Sequence, residues 1–400
     1  MILKKVKVKD LGKVITGTTP PTKIKEYYAD EYNFIKPSYI EKNVRFFNES
    51  EEKLSELAKE KYINTFVPEL STCVVTIGSI GEKICLTKEL CLTNQQINTV
   101  IPNEKYDNMF VYYLLKYNLF KVKAANAGSS SGRENVNKST FENIEVEVPN
   151  LQIQKKIAKI LSAYDDLIEN NLKRIKLLEE SAELLYKEWF VNLRFIGYEN
   201  NKIIDGAPES WEKCKLGDFI TFVKGRKPNN TIDNQNDDTV PYLLVEVIEG
   251  NNLIYTDDKK VPVAFENEIL MIMDGSRSGT IYKSLYGAVG STMSIIRINN
   301  KKINEEYLYY YLKMNEEHIK KNNTGAAIPH ANKEFINSMD ILLPEEKILQ
   351  KYYEIANNIS RQIAILKKNN QTLKEARDIL IPKLIRGEIE VWVENIQRMG

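Results

Sequence analysis

The sequence predicts an α/β (α+β) chain of two similar, mixed, strand-rich domains separated by two long helices that pair as a coiled coil. Three observations predict it. Residues 151–190 and 346–387 are two versions of one segment, 198 positions apart. Ile157, Leu161, Ile168, Asn171, Ile175 and Ala182 align with Ile355, Ile359, Leu366, Asn369, Leu373 and Leu380. Both copies step by threes and fours, the spacing of a coiled-coil seam. Ahead of each copy lies a block of about 150 residues, an ordinary domain size, with the same turns and strands in the same order. The internal duplication permits two similar surfaces related by an approximate two-fold.

The boundaries follow: a first domain at 1–150, a central helix at 151–199, a second domain at 200–345, and a C-terminal helix and tail at 346–400. The first block opens with the alternating strand Val6–Val8, then Leu11-Gly12 and a turn-rich loop from Gly17 to Lys23. The second repeats this with Leu216-Gly217 and the loop Gly225-Arg226-Lys227-Pro228-Asn229-Asn230. Glycine and proline mark these as exposed turns. The turn Thr76 to Gly81 matches Met273 to Gly279. Thr93-Asn94-Gln95-Gln96 precedes a strand from Ile97 to Ile101, as Gly290-Ser291-Thr292-Met293 precedes one from Ser294 to Ile298. Each block then carries a tyrosine-rich amphipathic helix, Val111–Leu115 or Tyr307–Leu312. The simplest role for these tyrosines is core packing with a bonded hydroxyl. Polar loops follow, Gly128 to Asn135 and Gly325 to Asn332, and a last strand ends at Pro149 or Pro344.

In the first helix the seam runs Ile157, Leu161, Tyr164, Ile168, Asn171, Ile175, Leu178, Ala182, Leu185, with Asp165, Asp166, Glu169, Lys173, Arg174 and Lys176 on its flanks. That is about 43 Å of helix. Asn171 and Asn369 set the register of the pair, since a seam asparagine penalises wrong alignments. Their positions alone fit either a parallel or an antiparallel pairing.

Of the 400 residues, 42% are hydrophobic, enough for two cores. Lys and Arg (56) nearly balance Asp and Glu (55), so a nucleic-acid role needs basic side chains gathered on particular loops, or a partner's charge. Cys73, Cys85, Cys91 and Cys214 form no C-x-x-C pair, and there are only two histidines, which argues against a structural zinc site. Reduced thiols in a cytoplasmic protein are the expectation. No apolar run approaches the length of a membrane span.

The motifs resemble those of the specificity (S) subunit of a type I restriction–modification enzyme. The resemblance rests on Glu188-Trp189-Phe190-Val191-Asn192-Leu193-Arg194-Phe195, on the run from Arg377 to Ile389, on the entries into the helices (Pro149 to Lys155, Pro344 to Lys351) and on the Gly-Ser turns. It implies two target recognition domains, each reading one half of a bipartite, asymmetric site on double-stranded DNA. It also implies that the two conserved helices pack antiparallel. Two methyltransferase (M) subunits would dock on them, forming a DNA adenine methyltransferase to which restriction (R) subunits add. S-adenosylmethionine then belongs to the M subunits, and ATP and Mg to the R subunits. Half-sites on one face of B-DNA lie about 34 Å apart, so the helix pair would set the spacer. A four-residue deletion within 165–180 should then change it.

Candidate DNA contacts are polar loop residues held by the scaffold. In the first domain these are Thr18, Thr19, Lys23, Ser79, Ser129, Ser130, Arg133 and Asn135. In the second they are Arg226, Lys227, Asn229, Ser276, Arg277, Ser278, His330, Asn332 and Lys333. Arg pairs bidentately with guanine and Asn with adenine, while Ser, Thr and Lys more often hold phosphates. The bland alternative for each is a solvated loop side chain. Trp189, Phe190, Phe195 and Trp392 suit a partner interface or, equally, packing between helix and domain.

Catalytic signatures are missing from the sequence. Pro20-Pro21 lies between threonines and is not the Asn/Asp-Pro-Pro-aromatic tetrad of base amino-methylation. No G-x-x-x-x-G-K-[ST] loop occurs. Asp257-Asp258-Lys259 and Glu345-Glu346-Lys347 read as surface charge. The expectation is a non-catalytic DNA-reading subunit, against a coiled-coil adaptor or a self-sufficient nuclease or methylase.

Overall fold

The computed structural model describes residues 1–41, 44–126, 135–249, 253–325 and 327–391. The chain divides into two units: Met1–Lys173 with Lys367–Gly400, and Arg174–Leu366.

The first unit contains β1 (Lys4–Lys7), β2 (Gly12–Thr16), β3 (Tyr28–Ile35), β4 (Lys53–Leu54), β5 (Phe66–Val67), β6 (Thr72–Val75), β7 (Ile84–Leu86), β8 (Cys91–Thr93), β9 (Ile97–Pro102) and β10 (Glu145–Val148). Its helices include α1 (Asn108–Tyr117), α2 (Leu119–Ala124), α3 (Lys138–Glu142) and the start of α4 (Leu151–Tyr186). One sheet has the order β2-β9-β6-β7, a second β4-β3-β8-β5, and β1 pairs with β10. Only β3 and β8 pair in parallel among these. Strand β10 alternates Glu145 and Glu147 outward with Val146 and Val148 inward, the period of a half-buried strand. The expected strand through Val8 stops at Lys7, because Val8–Leu11 close one helical turn.

The second unit repeats this plan. It contains β11 (Glu212–Lys215), β12 (Ile220–Lys224), β13 (Val240–Leu243), β14 (Tyr255–Thr256), β15 (Val263–Ala264), β16 (Ile269–Ile272), β17 (Ile281–Lys283), β18 (Gly287–Val289), β19 (Met293–Ile298) and β20 (Asp340–Leu343). Helices α5 (Glu305–Met314), α6 (Glu316–Lys321) and α7 (Lys333–Ser338) precede α8 (Glu346–Ile385). The sheets run β12-β19-β16-β17 and β14-β13-β18-β15, β11 pairs with β20, and β13 with β18 is again parallel. Ten strands therefore recur in the same order and pairing.

Caps recur too. Asp107 accepts the N–H of Phe110 at the start of α1, as Asn304 accepts that of Tyr307 at the start of α5, both at 2.9 Å. The tyrosines pack in or against the cores, and Tyr113, Tyr307 and Tyr311 have bonded hydroxyls. Tyr307 donates to the Leu342 carbonyl and Tyr311 to that of Asp340, 2.7 Å away. Tyr113 donates to the Asp165 carboxylate at 2.5 Å.

On each long helix one row of buried positions falls every seventh residue: Gln154, Leu161, Ile168, Ile175 and Ala182 on α4, and Leu349, Ala356, Ile363, Asn370, Arg377 and Leu384 on α8. In the first unit Leu161 packs with Ile381 and Leu384, and Asn171 donates to Asn370 at 2.9 Å. In the second, Ile175 packs with Ile363 and Leu366, and Tyr186 meets Tyr352. Numbers rise on one helix as they fall on the other, so the pairing within each unit is antiparallel.

Two expectations are corrected here. Asn369 is exposed and its neighbour Asn370 is the seam asparagine. Matching residue types between the copies also misplaced Ile355, which is 40% exposed beside the buried Ala356, whereas Ile359 and Leu366 do lie in the seam with Ile175. Asp165, read as a flank, is buried with its side chain 4% exposed.

Candidate nucleic-acid interface

In the first unit the candidate loops gather at one end of the β2-β9-β6-β7 sheet. The Thr18 N–H donates to the Thr93 carbonyl at 2.8 Å. A Cβ on Gly17 would lie 2.1 Å from that same oxygen, so only glycine allows this approach. The Thr76 N–H donates to the Gln96 carbonyl, and the Val136 N–H donates to the Thr76 carbonyl, both at 2.9 Å. Loops bearing Thr18, Thr19, Ser79, Gln95 and Asn135 are thus fixed to one another by backbone bonds. Behind them runs a polar ladder: Thr16 Oγ1 donates to Asn98 Oδ1 (2.6 Å), and Asn98 Nδ2 donates to Thr76 Oγ1 (2.9 Å). Thr19 and Asn135 are exposed, and Thr18 and Ser79 half-buried. Lys23 is exposed further along its loop. Ser129, Ser130 and Arg133 lie outside the described residues.

The second unit builds the same end from different side chains. The Arg226 N–H donates to the Val289 carbonyl at 2.9 Å, and a Cβ on Gly225 would lie 2.2 Å from the Gly290 oxygen. The Gly275 N–H donates to the Pro329 carbonyl (3.0 Å), and the Ala331 N–H to that of Met273 (2.8 Å). This gathers Arg226, Lys227, Ser276, Arg277 and His330 at one edge, all exposed.

Several side chains there already have work within the unit. Arg277 donates through both terminal nitrogens to the Glu249 carboxylate and also meets the Tyr282 hydroxyl. The guanidinium holds Glu249 below the usual carboxylate range, and burial, with Glu249, pushes Tyr282 up to about 12. Ser278 is buried and accepts from Asn323 Nδ2 at 2.7 Å. Asn332 caps α7 by accepting the Phe335 N–H at 3.0 Å. Lys333 lies over the Phe222 ring at 5.3 Å. His330 Nδ1 is 2.8 Å from Asp274 Oδ1. The Asn229 N–H donates to Asp258, which lowers that carboxyl's pKa.

Trp189, Phe190 and Phe195 are 6%, 7% and 2% exposed and pack with Tyr186, Trp211, Tyr307 and Tyr352. They join helix to domain in the second unit and present no partner surface, which corrects that expectation. Trp392 lies outside the described residues. The exposed large apolar side chains of α4 are others: Ile160, Leu167 and Leu172 in the first unit, Leu177 and Leu184 in the second. Ile160 and Leu167 are spaced by seven, as are Leu177 and Leu184.

Residues that sequence reasoning missed include Gln95, exposed at the first domain's edge, and Arg45, which reaches α4. Arg45 Nε donates to Glu169 at 3.0 Å and Nη2 to Asp166 at 2.5 Å, with its side chain 4% exposed. The Thr-Asn-Gln-Gln turn signalled Gln95, but nothing local signalled Arg45.

A family model described as "Type I restriction modification DNA specificity domain" matches residues 3–180 and again 208–375. The chain belongs to that family. The specificity family's model thus matches once over most of each repeat. The chain is 27% identical over 406 residues to the MjaIX specificity subunit of Methanocaldococcus jannaschii, covering 96% of this chain and 93% of that protein. It is 34% identical over 188 residues to the MjaVIII specificity subunit of the same organism, 44% of each. In fold it is similar to a crystal structure of a type I restriction–modification S subunit from M. genitalium, with a TM-score of 0.59 at 18% identity and 96% of each chain covered. No helix among the described residues is long and apolar enough to cross a membrane.

Proposed function

We propose that this chain is the DNA-reading subunit of a cytoplasmic type I restriction–modification complex. Each strand-rich domain, at 1–150 and 200–345, reads one half of a bipartite, asymmetric site. The chain carries no catalytic step. S-adenosylmethionine works in the M subunits, ATP and Mg in the R subunits.

One observation carries this reading. The same ten-strand fold occurs twice, with the same loops gathered at the same sheet end, yet the side chains offered there differ. Neutral amides and hydroxyls stand on one edge and Arg226, Lys227 and His330 on the other. Two like scaffolds with unlike edges fit two different half-sites, since base edges are told apart by donor and acceptor pattern. Thr18, Thr19, Lys23, Ser79, Asn135, Lys227 and Ser276 supply backbone-phosphate and base contacts, and Arg226 is the strongest guanine reader. Helices α4 and α8 set the spacer and dock two M subunits through the exposed apolar side chains of α4.

The test is co-expression with the neighbouring methyltransferase gene, followed by single-molecule mapping of methylated bases on a plasmid. A single bipartite motif with a fixed spacer, lost when this chain is omitted, is expected. Unchanged methylation without the chain, or no complex, would move the assignment to a coiled-coil adaptor.

A further inference from the structure

The two reading edges also differ in one turn. Residues 94–97 of the first domain and 290–293 of the second close the same turn, with Ile97 N–H on the Asn94 carbonyl (3.1 Å) and Met293 N–H on the Gly290 carbonyl (3.0 Å). Strand register places Gln95 where the second domain has Ser291. The facing loop likewise has Thr19 where the second domain has Lys227.

Gln95 is exposed, and its carboxamide is not loose. Thr19 Oγ1 donates to Gln95 Oε1 at 2.5 Å. That bond fixes which way the amide points and removes part of the rotamer freedom a long side chain loses on binding. The turn beneath is also braced, with Asn94 Oδ1 accepting the Gln96 N–H and Asn94 Nδ2 donating to Gln96 Oε1, both at 3.0 Å. Among the described residues, no partner takes the second lone pair of Gln95 Oε1 or either Nε2 hydrogen.

We propose that Gln95 is a specificity-determining residue that reads an adenine in the half-site of the first domain, with Thr19 as its positioning residue. This rests on the DNA-reading function above. The physical reason is complementarity. Adenine offers a donor at N6 beside an acceptor at N7, and an amide meets both at once. Guanine offers two acceptors there, and one of them would face the Gln95 carbonyl. The adenine is one that stays paired in the duplex and is distinct from the base that is modified.

The experiment uses the full chain co-expressed with its methyltransferase partner, with methylated motifs mapped for wild type, Gln95→Ala, Gln95→Arg and Thr19→Val. Wild type is expected to give a bipartite motif with an invariant unmodified adenine in one half-site. Gln95→Ala relaxes that position alone, with about a ten- to hundredfold loss of preference. Gln95→Arg moves the preference to guanine, and Thr19→Val relaxes the same position by a smaller factor. A bipartite motif of unchanged stringency in Gln95→Ala and Gln95→Arg overturns the proposal while leaving the function intact. Loss of all methylation by an assembled Gln95→Ala complex also overturns it. Absence of any bipartite motif from wild type is the separate failure of the DNA-reading assignment.

Discussion

Arg377 and Asp165, 212 positions apart in sequence, form an ion pair inside the first unit, with side chains 1% and 4% exposed. Tyr113 adds its hydroxyl to the same carboxylate, and burial, with that charge, pushes the phenol's pKa upward. Cutting a buried pair on one side leaves the other charge without compensation. Asp165→Ala is therefore expected to cost about 3–5 kcal/mol in urea unfolding. Asp165→Leu combined with Arg377→Met should recover most of that loss. Equal instability of the single and double variants would show that the pair is not the source.

Asn369 and Asn370 separate surface from seam by one residue. Asn370 accepts from Asn171 and donates to the Ile168 carbonyl at 3.4 Å, whereas Asn369 is exposed. Asn369→Ala should move the unfolding midpoint within about 0.5 kcal/mol of wild type. Asn370→Ala removes a buried amide, leaves the half-buried Asn171 amide and the Ile168 carbonyl without it, and should cost roughly 1–3 kcal/mol. Thermal melts of the two variants side by side decide it, and equal effects would put the seam elsewhere.

Lys116 makes stability depend on pH. Its Nζ is buried without a hydrogen-bond partner among the described residues. Burial first, and Arg377 second, press its pKa down from 10.5 to about 8, partly offset by Asp165. Between about pH 8 and 10.5 the unfolded chain holds a proton that the native chain lacks, so this group makes stability rise with pH across that window. Below pH 8 its full cost is present. Lys116→Met should stabilise at pH 7, by on the order of 1–3 kcal/mol, and flatten the rise above pH 8. An unaltered pH profile in the variant would remove Lys116 as its cause.

The duplication, the tyrosine helices and the final strands were legible because each has a local period or a repeated turn. The seam was legible in period, but two of its positions on the second helix, Ile355 and Asn369, were read one residue early. Two adjacent asparagines, Asn369 and Asn370, offered either choice, and only packing against Asn171 selects the second. Asp165 looked like a flank because its compensating charge, Arg377, comes from the distant helix. The role of Arg277 was hidden for the same reason: Glu249 is 28 residues away and reaches it only through the fold. Among candidate contacts, the loops could be read from glycine and polar composition. Which side chains remain free at the edge depends on tertiary partners.

The exposed leucines of α4 give a docking prediction. Leu167 and Leu177 are 54% and 62% exposed, and neither belongs to its unit's core. Charging them should leave folding nearly unchanged, since they bury little within the chain. Leu167→Lys and Leu177→Lys are expected to reduce co-purification of the methyltransferase by tenfold or more at an unaltered melting temperature. Full recovery of the partner would place the interface off this face.

The spacer can be tested more gently than by deleting four residues, which would throw the Asp165–Arg377 and Asn171–Asn370 pairs out of phase. A seven-residue insertion keeps the heptad. Adding one heptad between Arg174 and Ile175 and another between Leu366 and Lys367 preserves every buried pair on either side. Each insertion lengthens its helix by about 10 Å, which corresponds to about three base pairs of B-DNA. If the helix pair sets the spacer, mapped methylation should show the same two half-sites with roughly three more base pairs between them. Insertion in only one helix breaks the pairing and should abolish the motif. The original spacer in a folded, doubly extended protein would mean that something other than these helices measures the distance.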